Sequence, residues 1–287
     1  MQIKNNESLA EYTNYKIGGV TPALYIVDDV ANLKRISKRD IFNAHILGGG
    51  TNVLVSDHGV RKAVIKVDFK DITIDKITHI MSIGSGAVLT DAAKLLAENG
   101  YAGLTHVSGI PGTIGGAVVM NASASRGAIS DCLIDVEVLD RRTREIKVFQ
   151  KSECGFGFRS SIFQNGDYII TMVRFQLEQS SRPELISLYN EILDYREKNY
   201  PLTFPSAGCW FRRDWGGKDI IIKTGMVGVS NGGAIISPMF PAFILNTGNA
   251  TAEEVYSLVV EIQNRAKNIS EDMPCEIVVW GEIWKEQ

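Results

Sequence analysis

The chain has 287 residues, 45% hydrophobic and 22% charged, which is enough to bury a sizeable core in two or three globular lobes and too apolar for disorder. A net charge of −3, a pI near 5.9 and the absence of any lysine or arginine block argue against a nucleic-acid partner. No apolar run approaches the roughly 18 residues of a membrane helix, and the start, MQIKNNESLAEYTN, lacks the apolar stretch of a signal peptide, so no membrane partner and a cytoplasmic location are expected.

After a polar arm, NYKIGG (14–19) leads to Pro22, and residues 23–27 read as a strand. Residues 46–47 read as a second strand ending at LGGGTN (47–52), with further short strands at 53–55 and 63–67. Together these make a small α/β lobe, 1–67. Residues 80–83 read as a strand, and a helix follows, capped by Thr90 or Asp91, with Ala92, Leu95 and Leu96 on one face and Gly100 as its stop. Next comes SGIPGTIGGAVVMNA (108–122), which sets Gly109, Gly112, Gly115 and Gly116 beside Pro111. Residues 133–139 alternate, 141–144 form a charged turn, 146–149 return, and 168–177 make a long strand closing a strand-rich second lobe, 68–179. Ser180, Ser181 and Pro183 break the pattern and open a third lobe, 180–287. It begins with a helix placing Leu185, Leu188, Tyr189, Ile192 and Leu193 on one face, then a polar-aromatic loop, 200–215. A second helix starts at Thr251, with Glu254 completing a capping box and Val255, Leu258, Val259 and Ile262 facing inward. The last strand is 277–280.

The chemistry starts from the two glycine clusters, about 60 residues apart. Glycines let a backbone adopt φ > 0 and bring bare amide N–H groups close to an anion, and two such loops suit a diphosphate held between them. The candidate binding residues are Leu47, Gly48, Gly49, Gly50, Thr51 and Asn52 in the first loop. In the second they are Ser108, Gly109, Pro111, Gly112, Thr113, Gly115 and Gly116. The plainer reading of the second cluster is a tight turn entering a buried strand.

Arg159, in FGFRSS, stands among Phe156, Phe158, Gly155 and Gly157, where a guanidinium without an anion would be costly. It is a candidate anion binder or a structural arginine paired with a carboxylate. Glu276, in MPCEIVVW, opens the last apolar strand and is either a site residue or a strand-end charge. Cys209, in FPSAGCWF, falls on a turn, with Ser206, Arg212 and Arg213 nearby to favour a thiolate. An isolated cysteine is otherwise a small buried apolar residue. With Cys132, Cys154 and Cys275 it shows no CxxC spacing, and His45, His58, His79 and His106 show no metal-ligand spacing, so free thiols and no metal are expected.

At these residues the chain resembles the UDP-N-acetylenolpyruvoylglucosamine reductase (MurB) family nearly end to end. NYKIGG is similar to the family's N-terminal segment, LGGGTNVLVSD to its first flavin loop and GLTHVSGIPGTIGGAVVMNA to its second. FGFRSSIF resembles its arginine motif, PLTFPSAGCWF its proton-donor loop and FILNTGNAT its late strand-turn-helix. The resemblance implies an α+β fold, with a two-lobed FAD-binding domain of the vanillyl-alcohol-oxidase/PCMH type and a smaller α+β substrate-binding domain. It implies non-covalent FAD, NADPH as co-substrate, a small-molecule sugar nucleotide as partner and a monomer. In the family, hydride reaches the enolpyruvyl CH2 carbon, Arg159 and Glu276 hold the enolate, and Cys209, where the usual residue is serine, protonates the adjacent carbon. A thiol, with an unperturbed pKa of about 8.5, suits that task near neutral pH.

The short segment between the arginine strand and Tyr200 resembles the subtype without the extra substrate-covering loop. The chain departs from the family after the donor, with Phe211, Arg212, Arg213 and Asp214, the arginines being candidates for substrate binding. It departs again at Met239, Phe240, Pro241 and Ala242, in place of a lysine-histidine-alanine-asparagine run, and around Ser125 and Arg126, in place of a tyrosine. Two other readings stay open. One is a divergent flavoprotein of this type acting on another substrate, and the other a flavin- or sugar-nucleotide-binding protein without turnover. A covalent flavin oxidase is disfavoured, because Thr51 stands where some related oxidases carry an attaching histidine.

Overall fold

The computed structural model describes residues 1–269 and 273–284. The chain builds two compact units, each assembled from separated stretches. The first takes Met1–Lys4, Leu24–Gly49 and Lys62–Tyr195; the second takes Asn5–Ala23, Gly50–Arg61 and Arg196–Gln287. The helix placed from sequence at the head of a third lobe, observed as Arg182–Asn199, thus runs with the first unit as far as Tyr195.

In the first unit, the end of the strand Val20–Val27 pairs in parallel with Val64–Val67, which pairs in parallel with His45–Leu47. Val27, Ile65 and Val67 from these strands pack with Leu33, Ile36 and Ile41 from two six-residue helices, Val30–Arg35 and Lys38–Asn43. Both helices are capped at their start, by Asp29 and Ser37, and neither was read from the sequence. Arg141 lies in a turn, as expected, but is buried. Its guanidinium donates to the carbonyls of Ile41, Phe42 and Ala44 at 2.7, 2.8 and 2.6 Å, satisfying the orphan acceptors at a helix end just before the first glycine loop.

The other half of this unit is an antiparallel sheet in the order Ile146–Gln150, Leu133–Asp140, Tyr168–Gln176, Ile80–Gly84 and Ile72–Asp75. Its core includes Val136, Val138, Val173, Phe175, Met81 and Ile83. The helix after Ile80–Gly84 is Leu89–Glu98, and its cap differs from expectation. Val88 is the N-cap, without a side-chain bond, and the Thr90 hydroxyl instead donates to the carbonyl of Ser108 at 2.7 Å. The buried stripe is Leu89, Ala92, Ala93, Leu96 and Ala97, the spacing of one helical face, while Leu95 falls outside it and is exposed.

In the second unit, Ser230–Asn231, Ala234–Ile236 and Ile244–Asn246 form a three-stranded antiparallel meander. The helix Ala252–Ala266 starts as the sequence predicts, with reciprocal capping by Thr251 and Glu254. Val255, Leu258, Val259 and Ile262 are all buried; burial of such a side chain stabilises by about 1.5–3 kcal/mol. The strand Val278–Trp280 pairs in parallel with Val53–Val55. It begins one residue later than expected, which leaves Glu276 before the strand rather than opening it. Among the described residues no helix is long and apolar enough to cross a membrane, and no group of histidine, cysteine and acidic side chains could hold a metal.

Candidate active site

Gly48 and Gly49 of the first glycine loop lie against the second loop in the first unit. A Cβ on Gly48 would stand 2.6 Å from Thr113 Oγ1, and one on Gly49 would stand 2.9 Å from Gly112 Cα. Glycine is required here because the loops meet at van der Waals distance. At Gly116 a Cβ would meet only Thr113 Oγ1, at 3.5 Å, and that glycine is exposed. The second loop enters a helix, Ile114–Val119, rather than a strand, with Thr113 as its N-cap. It is pinned along 85–89 by three backbone bonds: Leu89 N–H to Gly112 O at 3.0 Å, Ile114 N–H to Ala87 O at 2.9 Å and Gly115 N–H to Ser85 O at 2.8 Å. Gly115 is glycine because its Cβ would approach Ser85 Cβ to 2.8 Å.

Residues 84–86, Gly-Ser-Gly, form a third glycine element that the sequence reading passed over. A Cβ on Gly84 would meet Phe69 O at 2.4 Å, and one on Gly86 would meet Asp68 Cα at 2.6 Å. The Ser85 hydroxyl donates to Ile170 O at 2.6 Å. Two glycines directly after a strand were the available signal.

Arg159 belongs to the same unit. It sits in a two-residue turn closed by mutual backbone bonds between Gly157 and Ser160, with φ +52, which a non-glycine residue adopts at a cost of about 1 kcal/mol or more. Asn121 Nδ2 donates to Gly157 O at 2.9 Å and Ser161 Oγ to Val119 O at 2.7 Å, fastening the turn to the end of the second loop's helix. The guanidinium donates to Ser123 Oγ at 2.9 Å and to Ser123 O at 3.3 Å, and lies 5.3 Å from the Phe158 ring centroid.

Gly50, Thr51, Asn52, Cys209, Arg212, Arg213 and Glu276 fall in the second unit. Gly50 needs its φ of +65, and a Cβ there would meet Tyr12 O. Asn52 Nδ2 donates to Glu276 O at 3.1 Å, and its own carbonyl accepts from Val278 N–H at 3.1 Å, so the end of the first loop holds the Glu276 segment. Cys209 does not lie on a turn. It follows Gly208, at φ +88, and is extended, bridged to Phe243, while Phe211 is bridged to Cys275 and Glu276 N–H donates to Trp210 O at 2.8 Å. The Cys209 segment is therefore held by isolated bridges, at Cys209 to Phe243 and at Phe211 to Cys275. Arg212 donates to both carboxylate oxygens of Asp214, at 3.1 and 2.6 Å, while Arg213 is exposed.

Tyr15 and Asn246 were not singled out from sequence, and both hold this segment. Tyr15 is fully buried; its hydroxyl donates to Ile244 O at 2.8 Å and accepts from Trp210 Nε1 at 2.6 Å. Burial pushes its pKa upward, so it stays neutral as donor and acceptor. Asn246 Nδ2 donates to Tyr15 O at 3.0 Å, and its Oδ1 accepts from Gly248 and Ala250 N–H at 3.0 and 3.1 Å.

Comparison with known proteins places these features in a family. Residues 26–148 match the FAD binding domain model, and residues 200–280 match the model of the UDP-N-acetylenolpyruvoylglucosamine reductase C-terminal domain. The chain is 33% identical to the UDP-N-acetylenolpyruvoylglucosamine reductase of Clostridium beijerinckii over 98% of its own length and 94% of the relative's. It is 36% identical to that of Caldanaerobacter subterraneus subsp. tengcongensis, over 96% and 93%. The crystal structure of the Thermus caldophilus enzyme superposes with a TM-score of 0.84 at 31% identity, covering 98% of this chain and all of that one. The loops fit a diphosphate-bearing cofactor such as FAD: they are glycine-lined, fixed by backbone bonds, and open at Gly116. Matched over nearly its whole length, the chain belongs to the UDP-N-acetylenolpyruvoylglucosamine reductase family, with an α+β fold in which an FAD-binding domain is followed by the family's C-terminal domain.

Proposed function

We propose that this protein reduces the enolpyruvyl ether of UDP-N-acetylglucosamine to UDP-N-acetylmuramate, with NADPH as reductant, in peptidoglycan precursor synthesis. The observation that carries this reading is the end-to-end match to reductases of that activity, through both the flavin-binding and the C-terminal models. When bound, FAD would supply the redox chemistry, relaying hydride from NADPH to the methylene carbon of the enolpyruvyl group. The glycines of 47–50 and 108–116 would hold its diphosphate through backbone amides, and with Thr51 in the first loop the cofactor would be held without a covalent bond.

Hydride addition leaves negative charge on the carbon and carboxylate of the substrate. Arg159, fixed by its turn and by Ser123, is assigned to that charge, as is Glu276, whose backbone is held by Asn52 and Trp210, acting as a protonated carboxyl whose O–H donates to it. Preorganised groups of this kind are worth about 3–4 kcal/mol each in the transition state. The Cys209 Sγ–H then protonates the adjacent carbon, and the resulting thiolate regains its proton from solvent. Arg213 and Arg212 are assigned to the diphosphate of the sugar nucleotide, the latter after leaving Asp214. We also infer a monomer of the subtype without the extra substrate-covering loop, which the single helix Arg182–Asn199 leading directly to Tyr200 supports.

Anaerobic stopped-flow tests the reading. NADPH should bleach the flavin absorbance, and UDP-N-acetylglucosamine enolpyruvate should restore it with one equivalent of UDP-N-acetylmuramate formed. Bleaching by NADPH without recovery on this substrate would favour a relative acting on another substrate.

A further inference from the structure

Cys209 packs at the edge of an aromatic cluster in the second unit, against Phe243 with Tyr200 and Phe240. The rings are close: Tyr200 and Phe240 have centroids 4.7 Å apart, and Phe240 and Phe243 stand edge to face at 5.5 Å. Two cations rest on this cluster. The Arg196 guanidinium lies 4.7 Å from the Tyr200 centroid, and the Lys218 ammonium lies 4.8 Å from that of Phe240.

The cation expected beside the thiol from sequence was Arg212 or Arg213. Arg212 is already forked onto Asp214 and is stabilised as a cation by that carboxylate and by Glu276. Arg196 differs. Among the described residues no carboxylate pairs with it; burial disfavours its charge, and the groups whose negative charge would favour it are Tyr200 and Cys209. The remaining ionisable groups around Cys209 are Lys218 on the far ring, and Cys275 and Glu276 on the neighbouring segment bridged through Phe211.

We propose that Arg196 is the positioning residue for Cys209: laid over Tyr200 and matched by no carboxylate, its guanidinium directs positive charge at the sulfur and makes the thiol a stronger proton donor. The proposal deepens the proton-donor reading of Cys209 and rests on it. An opposite charge within a few ångströms favours the thiolate, and a donor is most effective when its pKa lies near the working pH. The stack on Tyr200 holds the cation in place without a carboxylate that would cancel its effect.

The test is the pH dependence of iodoacetamide alkylation at Cys209, followed by peptide mass spectrometry in a Cys275→Ser background. Cys132 and Cys154 do not compete, because burial pushes their thiols up to about 12 and about 11. Arg196→Met should raise the alkylation midpoint by about one pH unit, while Arg196→Lys should restore most of the shift. The high-pH limb of kcat, where Cys209 loses the proton it must donate, should move upward with the midpoint. If Arg196→Met does not fold, Tyr200→Leu, which removes the platform, must move the midpoint in the same direction. An unshifted midpoint in a folded variant overturns the proposal. Alkylation needs neither substrate nor turnover, so that failure is distinct from failure of the donor assignment, which full turnover by Cys209→Ala would reveal.

Discussion

The glycine loops of the first unit and the donor segment of the second are both fixed in place, by opposite means. At Gly48, Gly49 and Gly115 there is no side chain, and position comes from backbone bonds and from close approaches that a single added carbon would break. Around Cys209, position comes from large buried side chains: Tyr15, Trp210 and Asn246 form one hydrogen-bonded set reaching across 195 to 231 residues of sequence. A surface of bare amides suits an anionic cofactor, and Gly48, Gly49 and Gly115 leave no room for a Cβ. A side-chain network tolerates adjustment.

The comparison breaks most sharply at Gly49. Valine there would place its Cβ against Gly112 Cα, 2.9 Å away, in a loop pinned by its backbone bonds to 85–89. Gly49→Val should purify colourless, with FAD occupancy below about a tenth of wild type, since a displaced loop loses its phosphate contacts together; absorbance at 450 nm against protein reads it. A yellow Gly49→Val protein would remove these loops from the cofactor site.

A smaller effect belongs to the other side. Tyr15→Phe leaves the Ile244 carbonyl and the Trp210 N–H without their buried partner, at a cost of about 1–3 kcal/mol. The variant should keep its FAD and its flavin reduction by NADPH, and lose about tenfold in reoxidation by the sugar nucleotide, through misplacement of the Cys209 segment. Equal losses in both half-reactions would make Tyr15 a general stability residue.

The smallest effect is one of pH. His45 leads into the first loop, and burial, with Lys62 and Arg141 nearby, lowers its pKa from 6.5 to about 4. The unfolded chain takes up a proton below pH 6.5 that the folded chain refuses until about pH 4, so this residue erodes stability as pH falls through that window. The thermal midpoint of His45→Gln should therefore drop less than that of wild type between pH 7 and pH 5. Parallel curves would contradict it.

The same contrast explains what the sequence disclosed. Glycine clusters, the capping box at Thr251 and the alternation of 133–139 are local signals, and each appears in the structure as the loops, the helix Ala252–Ala266 and the strand Leu133–Asp140. The conformation of Cys209 was not legible locally, because Phe243, to which it is bridged, is remote in sequence. Tyr15 stood in view in NYKIGG, yet its role depends on a tryptophan and a carbonyl far along the chain. A linear reading divides the chain into consecutive stretches, whereas residues 5–23 and 50–61 group with the C-terminal half. Arg141 read as a turn charge because four residues of sequence cannot show the helix end that it caps.

The most direct test of the account is the oxidative half-reaction of Cys209→Ala and Cys209→Ser, run anaerobically in deuterated buffer. The account predicts that Cys209→Ser turns over at a substantial fraction of the wild-type rate. In Cys209→Ala, flavin reoxidation and product formation should come apart, and recovered substrate should carry solvent deuterium in its enolpyruvyl group. Turnover of Cys209→Ala at the wild-type rate would contradict it and move the proton donor elsewhere.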